Sequence, residues 1–158
     1  MTEPRPEPPE APDPPADAPR RLRLAGLHHV TAIASDLGRT TAFYRDVLGL
    51  TLVTGPADDP IVFSAGSGTT LLVTEMPDRE PAGYATVSFL VTGIERLVAD
   101  LAAKGVEFVP PDSSSFQGLE GTVANGVIDY GPVKSVWLRD SEGNLLALNE
   151  IVDSSGRE

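Results

Sequence analysis

One histidine and two glutamates are the residues most able to do chemistry in this chain. His29 lies in LHHVTAIAS, Glu75 ends TTLLVTE, and Glu150 lies in LLALNEI. On an extended strand Glu75 shares a face with Leu71 and Val73, and Glu150 with Leu146 and Leu148. A carboxylate on an otherwise apolar face is costly to bury unless it is paired or bound to a metal. Neutral imidazole and carboxylate both ligate divalent cations, and three protein ligands with open positions make a catalytic centre. One imidazole and two carboxylates suit Zn, Ni, Mn, Co or Fe. The same residues also have a plainer reading. Both glutamates end strands, where a side chain reaches water, and a strand histidine can line a pocket or bond a neighbour.

The patterning around these residues predicts what must position them. Residues 26–34 read as a strand with Leu27, His29, Thr31 and Ile33 on one face and His28 on the other. Asp36 stands where a helix cap belongs, residues 37–48 carry apolar positions at helical spacing, and Gly49 fits a left-handed stop. Strands follow at 50–54, 61–65 and 69–75. After a polar linker over 77–83 the pattern restarts with a strand over 84–91, a helix over 94–103, and strands at 106–109, 133–138 and 144–152. Each half is thus predicted as β-α-β-β-β. The repeat keeps its spacing, since Gly68 precedes Glu75 by the interval that separates Gly143 from Glu150. Asp140 is expected to fix the turn before Gly143 by bonding backbone amides. Tyr130 and Trp137 are expected to pack, and the long polar stretch over 111–125 reads as a loop long enough to act as a lid.

Composition narrows the function classes. With 158 residues the chain has the length of one folded domain, and 41% hydrophobic with 22% charged residues is an ordinary globular balance. Net charge is −11, which disfavours phosphate backbones and anionic lipid, so neither nucleic acid nor membrane is an expected partner. There are no cysteines, which removes disulfides and thiolate chemistry and agrees with a cytoplasmic location. Residues 1–21 are rich in proline, acid and alanine and read as a disordered tail, with the folded domain over 22–152 and a flexible end over 153–158. The domain divides into a first module over 22–76, the linker, and a second module over 84–152.

The motifs HHVTAIASDLGRTTAFYRDVLGL and VWLRDSEGNLLALNEI resemble the vicinal oxygen chelate superfamily, which groups glyoxalases, bleomycin-resistance proteins and ring-cleaving dioxygenases. The resemblance implies an α+β fold of two tandem βαβββ modules whose strands form a curled mixed sheet around a shared cup, often with a divalent metal at its base and often in a homodimer. Carried over residue by residue, it implies metal positions at His29, Glu75 and Glu150, with Glu75 and Glu150 also catalytic. The second module should offer a histidine where this sequence has Thr86.

That departure separates the reactions. A ring-cleaving dioxygenase of this type needs two histidines on iron, and His28 is expected to point away from His29. A metal-dependent lyase or isomerase acting on a small oxygen-bearing metabolite keeps more of its parts: His29 anchors the ion and the glutamates move a proton. The alternative is a non-catalytic protein that sequesters a small molecule, as bleomycin-resistance proteins do.

Overall fold

The computed structural model describes residues 26–55, 58–110 and 120–152. The tail over 1–21, the first residues of the expected domain, most of the 111–125 loop and the 153–158 end lie outside the described residues.

The first module runs β1 (His29–Ala34), α1 (Leu37–Ala42), β2 (Thr51–Leu52), β3 (Ile61–Ser64) and β4 (Thr70–Glu75). Asp36 caps α1 as expected, its carboxylate accepting from the Arg39 amide at 2.8 Å. The helix then widens into a π-helical turn over Phe43–Val47, where the Leu48 amide bonds the Phe43 carbonyl. Gly49 ends it at φ +76°, a conformation costly for any residue with a Cβ. The sheet order is β1-β4-β3-β2, with β1 parallel to β4.

The second module runs β5 (Val87–Leu90), α2 (Ile94–Ala103), β6 (Phe108–Val109), β7 (Thr122–Ala124), β8 (Val127–Asp129), β9 (Val133–Arg139) and β10 (Leu145–Ile151). Here the expectation needs correcting. The loop predicted over 111–125 ends in β7, which forms a short hairpin with β8, so among the described residues this module has two strands more than its partner. The turn residues Asn125 and Gly126, both at positive φ, close that hairpin. The outer edge of β9 is consequently shared, β6 pairing at Leu138 and Trp137 and β8 pairing at Ser135 and Lys134. The parallel pair β5–β10 repeats the β1–β4 arrangement.

Each sheet turns one face to the helices. Ala32, Ala34, Leu71, Val73, Ile61 and Phe63 from the first sheet join Val87, Leu146 and Leu148 from the second in one core, closed by Tyr44 and by Ile94, Val98 and Leu101 of α2. Each fully buried aliphatic side chain contributes about 1.5–3 kcal/mol, so this shared core fixes the two modules against each other.

A polar clasp adds direction to the apolar contact. Asp140 holds the β9–β10 turn as predicted, its Oδ1 accepting from the Glu142 and Asn144 amides at 2.9 Å. Its other oxygen crosses to the first module and accepts the Tyr44 hydroxyl at 2.7 Å. Glu142 accepts from the amide and hydroxyl of Ser35 and pairs with Arg39 at 2.8 Å. Burial alone would raise the Glu142 pKa; Ser35 and Arg39 outweigh it and hold the carboxyl below its usual range. Asn144 donates to the Ile33 carbonyl at 2.7 Å. No helix among the described residues is long and apolar enough to cross a membrane.

Candidate functional site

Strand pairing determines where the predicted site residues can reach. His29 opens β1 opposite Thr70, whereas Glu75 closes β4 opposite Ala34. Five residues of strand therefore separate Glu75 from the His29 level, about 16 Å at 3.3 Å per residue. The two side chains also leave the sheet on opposite faces. Leu71 and Val73, which share the Glu75 face, are fully buried against the helices, while His29 and Thr31 are exposed on the other side.

The second module repeats this separation. The Thr86 amide donates to the Leu145 carbonyl, which places Thr86 at the start of the β5–β10 pair. Glu150 is near the far end of β10, on the face of Leu146 and Leu148. The structure thus does not bring His29, Glu75 and Glu150 within the 2.0–2.3 Å ligand shell of one ion. Among the described residues, no group of three or more histidines, aspartates and glutamates could hold a metal.

Glu150 has a different occupation. Gly93, at φ +65°, stands at the N-cap of α2 and has no side chain with which to satisfy the first-turn amides. The Glu150 carboxylate supplies what is missing, accepting from the Gly93 amide at 2.5 Å and the Ile94 amide at 3.3 Å. Its charge also complements the positive end of the helix. Glu150→Ala is therefore expected to lower stability by about 1–2 kcal/mol, measured by urea denaturation, with Glu150→Gln losing less. Glu75 is exposed at the end of β4, where a carboxylate needs no partner.

The residues on the helix-free faces are of another kind. In the first sheet His29 is accompanied by Thr31, Ile33, Thr70, Leu72 and Thr74 on the paired strands β1 and β4. In the second, Thr86 and Ser88 are followed across the pairing by Leu145, Ala147 and Asn149, then by Trp137 and Ser135. The β-strands place no aspartate or glutamate on either of these faces among the described residues. Ser135 donates to Asn149 at 2.7 Å, and Trp137 packs with Ile128, Leu145 and Ala147, with Val109 and Tyr130 against them. Trp137 and Tyr130 therefore pack, as expected.

His28 departs from expectation. It was predicted to point away from His29, yet the two Nδ1 atoms are 3.1 Å apart with the rings edge to face. His28 precedes β1, so strand alternation does not govern its side chain. One ring donates and the other accepts, and the pair is exposed.

Two adjoining cavities flank the linker between the modules. One, of about 190 Å³, is lined by Thr31, Ile33 and Thr86 together with Met76, Arg79 and Glu80. The other, of about 230 Å³, shares Ile33, Arg79 and Glu80 and reaches Ser35 and Glu142. Arg79 was not singled out in the sequence, where it lies in a stretch that reads only as linker. A lone arginine between two prolines gives no periodic signal.

Comparison with known proteins agrees with this fold. A curated relative, virulence protein STM3117 of Salmonella typhimurium, is 26% identical over 132 residues, covering 80% of this chain and 84% of its own. A putative glyoxalase family protein from Bacillus anthracis superposes with a TM-score of 0.64 at 18% identity, over 84% of this chain and 99% of that one. TnmS3, an antibiotic binding protein from Streptomyces sp. CB03234, superposes with a TM-score of 0.61 at 17% identity, over 84% of this chain and all of that one, 100%. The profile of the Glyoxalase/Bleomycin resistance protein/Dioxygenase superfamily matches residues 26–148, and the chain belongs to that family.

Proposed function

We propose that this protein binds and sequesters a small molecule on the helix-free faces of its two sheets, without a metal held by His29, Glu75 and Glu150. The observation that carries the reading is the absence of carboxylates from the described strand positions on those faces, together with the use of Glu150 as a helix cap. A lyase or isomerase routed through those three residues draws no support from the arrangement, because the proton-moving glutamates stand on the wrong side of their strands. What the described strands offer there instead is hydroxyls, one amide, one imidazole, the Arg139 guanidinium and apolar surface, which suits the lining of a binding pocket. The fold shared with TnmS3 makes such a role compatible with the architecture.

A homodimer belongs to the same reading. Val53, Leu90 and Ile151 leave 61%, 75% and 66% of their surface exposed at strand ends, apolar surface that a second copy of the chain would cover.

The test is a thermal-shift screen of neutral and charged ring compounds and polyoxygenated metabolites, run with and without EDTA. A ligand at about 100 times its Kd adds about 2.7 kcal/mol, which is several degrees in Tm. Hits that persist unchanged in EDTA support the reading. One tightly held divalent ion per chain, lost in both His29→Ala and Glu150→Ala, would sink it.

A further inference from the structure

The cavity at the seam between the modules has features that specify the charge of its ligand. It is where the two acid-free faces approach, since Thr31 of β1 and Thr86 beside β5 both line it. Neither threonine hydroxyl is bonded to another described residue, so both remain available as donor and acceptor. Arg79 lines the same cavity from the linker, and its guanidinium has no ion pair among the described residues. Arg79 is exposed, so its charge stands at the mouth of the cavity, where an incoming anion would meet it. The acids that line the two cavities have other situations. Glu142, in the adjoining cavity, is committed to Ser35 and Arg39, while Glu80 lines both cavities without a described partner.

Building on the binding role proposed above, we infer that this cavity takes a ring-sized molecule bearing a carboxylate, its charge held by Arg79 and its oxygens met by Thr31 and Thr86. A guanidinium presents paired N–H donors that match the two oxygens of a carboxylate, which a hydroxyl or an ammonium group cannot use in the same way. The volume of about 190 Å³ suits one ring, since an apolar cavity of about 150 Å³ already admits benzene. Ile33, Met76 and Ala82 supply the apolar walls that such a ring needs. Among the described residues Glu80 is the one acid on this lining and opposes the anion, so it limits the affinity.

Benzoate, benzyl alcohol and benzylammonium share a ring and differ in charge, so calorimetric titration of the full chain with each isolates the inference. Benzoate should bind about tenfold more tightly than benzyl alcohol, and benzylammonium more weakly than either. Arg79→Gln should reduce benzoate to the level of the alcohol while leaving the alcohol unchanged. Glu80→Gln should strengthen benzoate. Equal or tighter binding of benzylammonium, no binding of benzoate, or an Arg79→Gln variant that holds benzoate as well as the parent would overturn the inference. The two readings fail separately: hits in the EDTA screen without a preference for carboxylates leave the sequestering role standing and remove only this one.

Discussion

Asp140→Ala should lower the unfolding free energy by about 3–4 kcal/mol, a loss as large as that from truncating a core side chain. The carboxylate of Asp140 is buried and accepts four hydrogen bonds at once: two backbone amides of its own turn, the Asn144 side chain, and the Tyr44 hydroxyl from the other module. Removing it orphans a fully buried phenol and two amides, and an unsatisfied buried donor costs more than a bond is worth. Tyr44→Phe removes one of the four bonds and should cost about 1.5–2 kcal/mol, so the two variants bracket how much of the clasp is within the turn and how much is between modules. Urea denaturation with both variants checks this, the midpoint falling while the slope holds. The pair also gives a pH signature. Burial, then the charge of Asp140 and its hydrogen bond, raise the Tyr44 pKa well above 10.0. A raised folded pKa contributes stability that is complete below the unfolded value and is lost as pH rises above about 10. The parent should therefore lose stability on the alkaline side more steeply than Tyr44→Phe, which has no phenol to ionise at that position.

The two modules were legible in the sequence because their signals are local. Asp36 announces a cap, Gly49 a left-handed stop, and the period-two runs ending at Glu75 and Glu150 announce strands; each appears where expected, with bounds shifted by a few residues. The β7–β8 hairpin was missed because TVANGV is short and mostly polar at its turn, so it reads as loop until β9 offers an edge to pair with. The site was misread for a different reason. Sequence alternation gives the face that Glu75 and Glu150 share with their own strand neighbours, but not which face of the sheet the helices cover. Once Leu71, Val73, Leu146 and Leu148 are seen in the core, both glutamates belong to the helix side and His29 to the other. The apolar company that made a buried ligand plausible is the same observation that removes it from the cup. Glu150 was misassigned further because its true partner, the bare N-terminus of α2, is far away in sequence. Gly93 could have hinted at it: a helix that starts on glycine has to find its cap elsewhere.

Trp137→Ala should cost about 3–5 kcal/mol, and its value lies in what else it changes. Trp137 is 1% exposed, on the helix-free face of β9 between Ala147 of β10 and Val109 of β6. Its counterpart in the first sheet is the smaller Val62, which pairs with Leu72 as Trp137 pairs with Ala147 and is half-buried. The second module therefore carries a bulky side chain on this face where the first carries a small one. The ligand-accepting surface proposed here is then asymmetric: the first sheet and the seam contribute, and the inner part of the second does not. Deleting the indole leaves a large apolar cavity beside Ile128 and Leu145, and a cavity of that kind takes apolar guests if the surrounding side chains do not collapse into it. The expected result is a destabilised chain whose Tm recovers on adding benzene or indole, while the parent gains nothing from either at the same concentration. Fluorescence gives an independent check, because Trp137 is the only tryptophan and its blue-shifted emission in the parent should be insensitive to the seam ligand. Quenching of that emission by benzoate would place the ligand against β9 instead of at Arg79, and with it the binding surface in the second module.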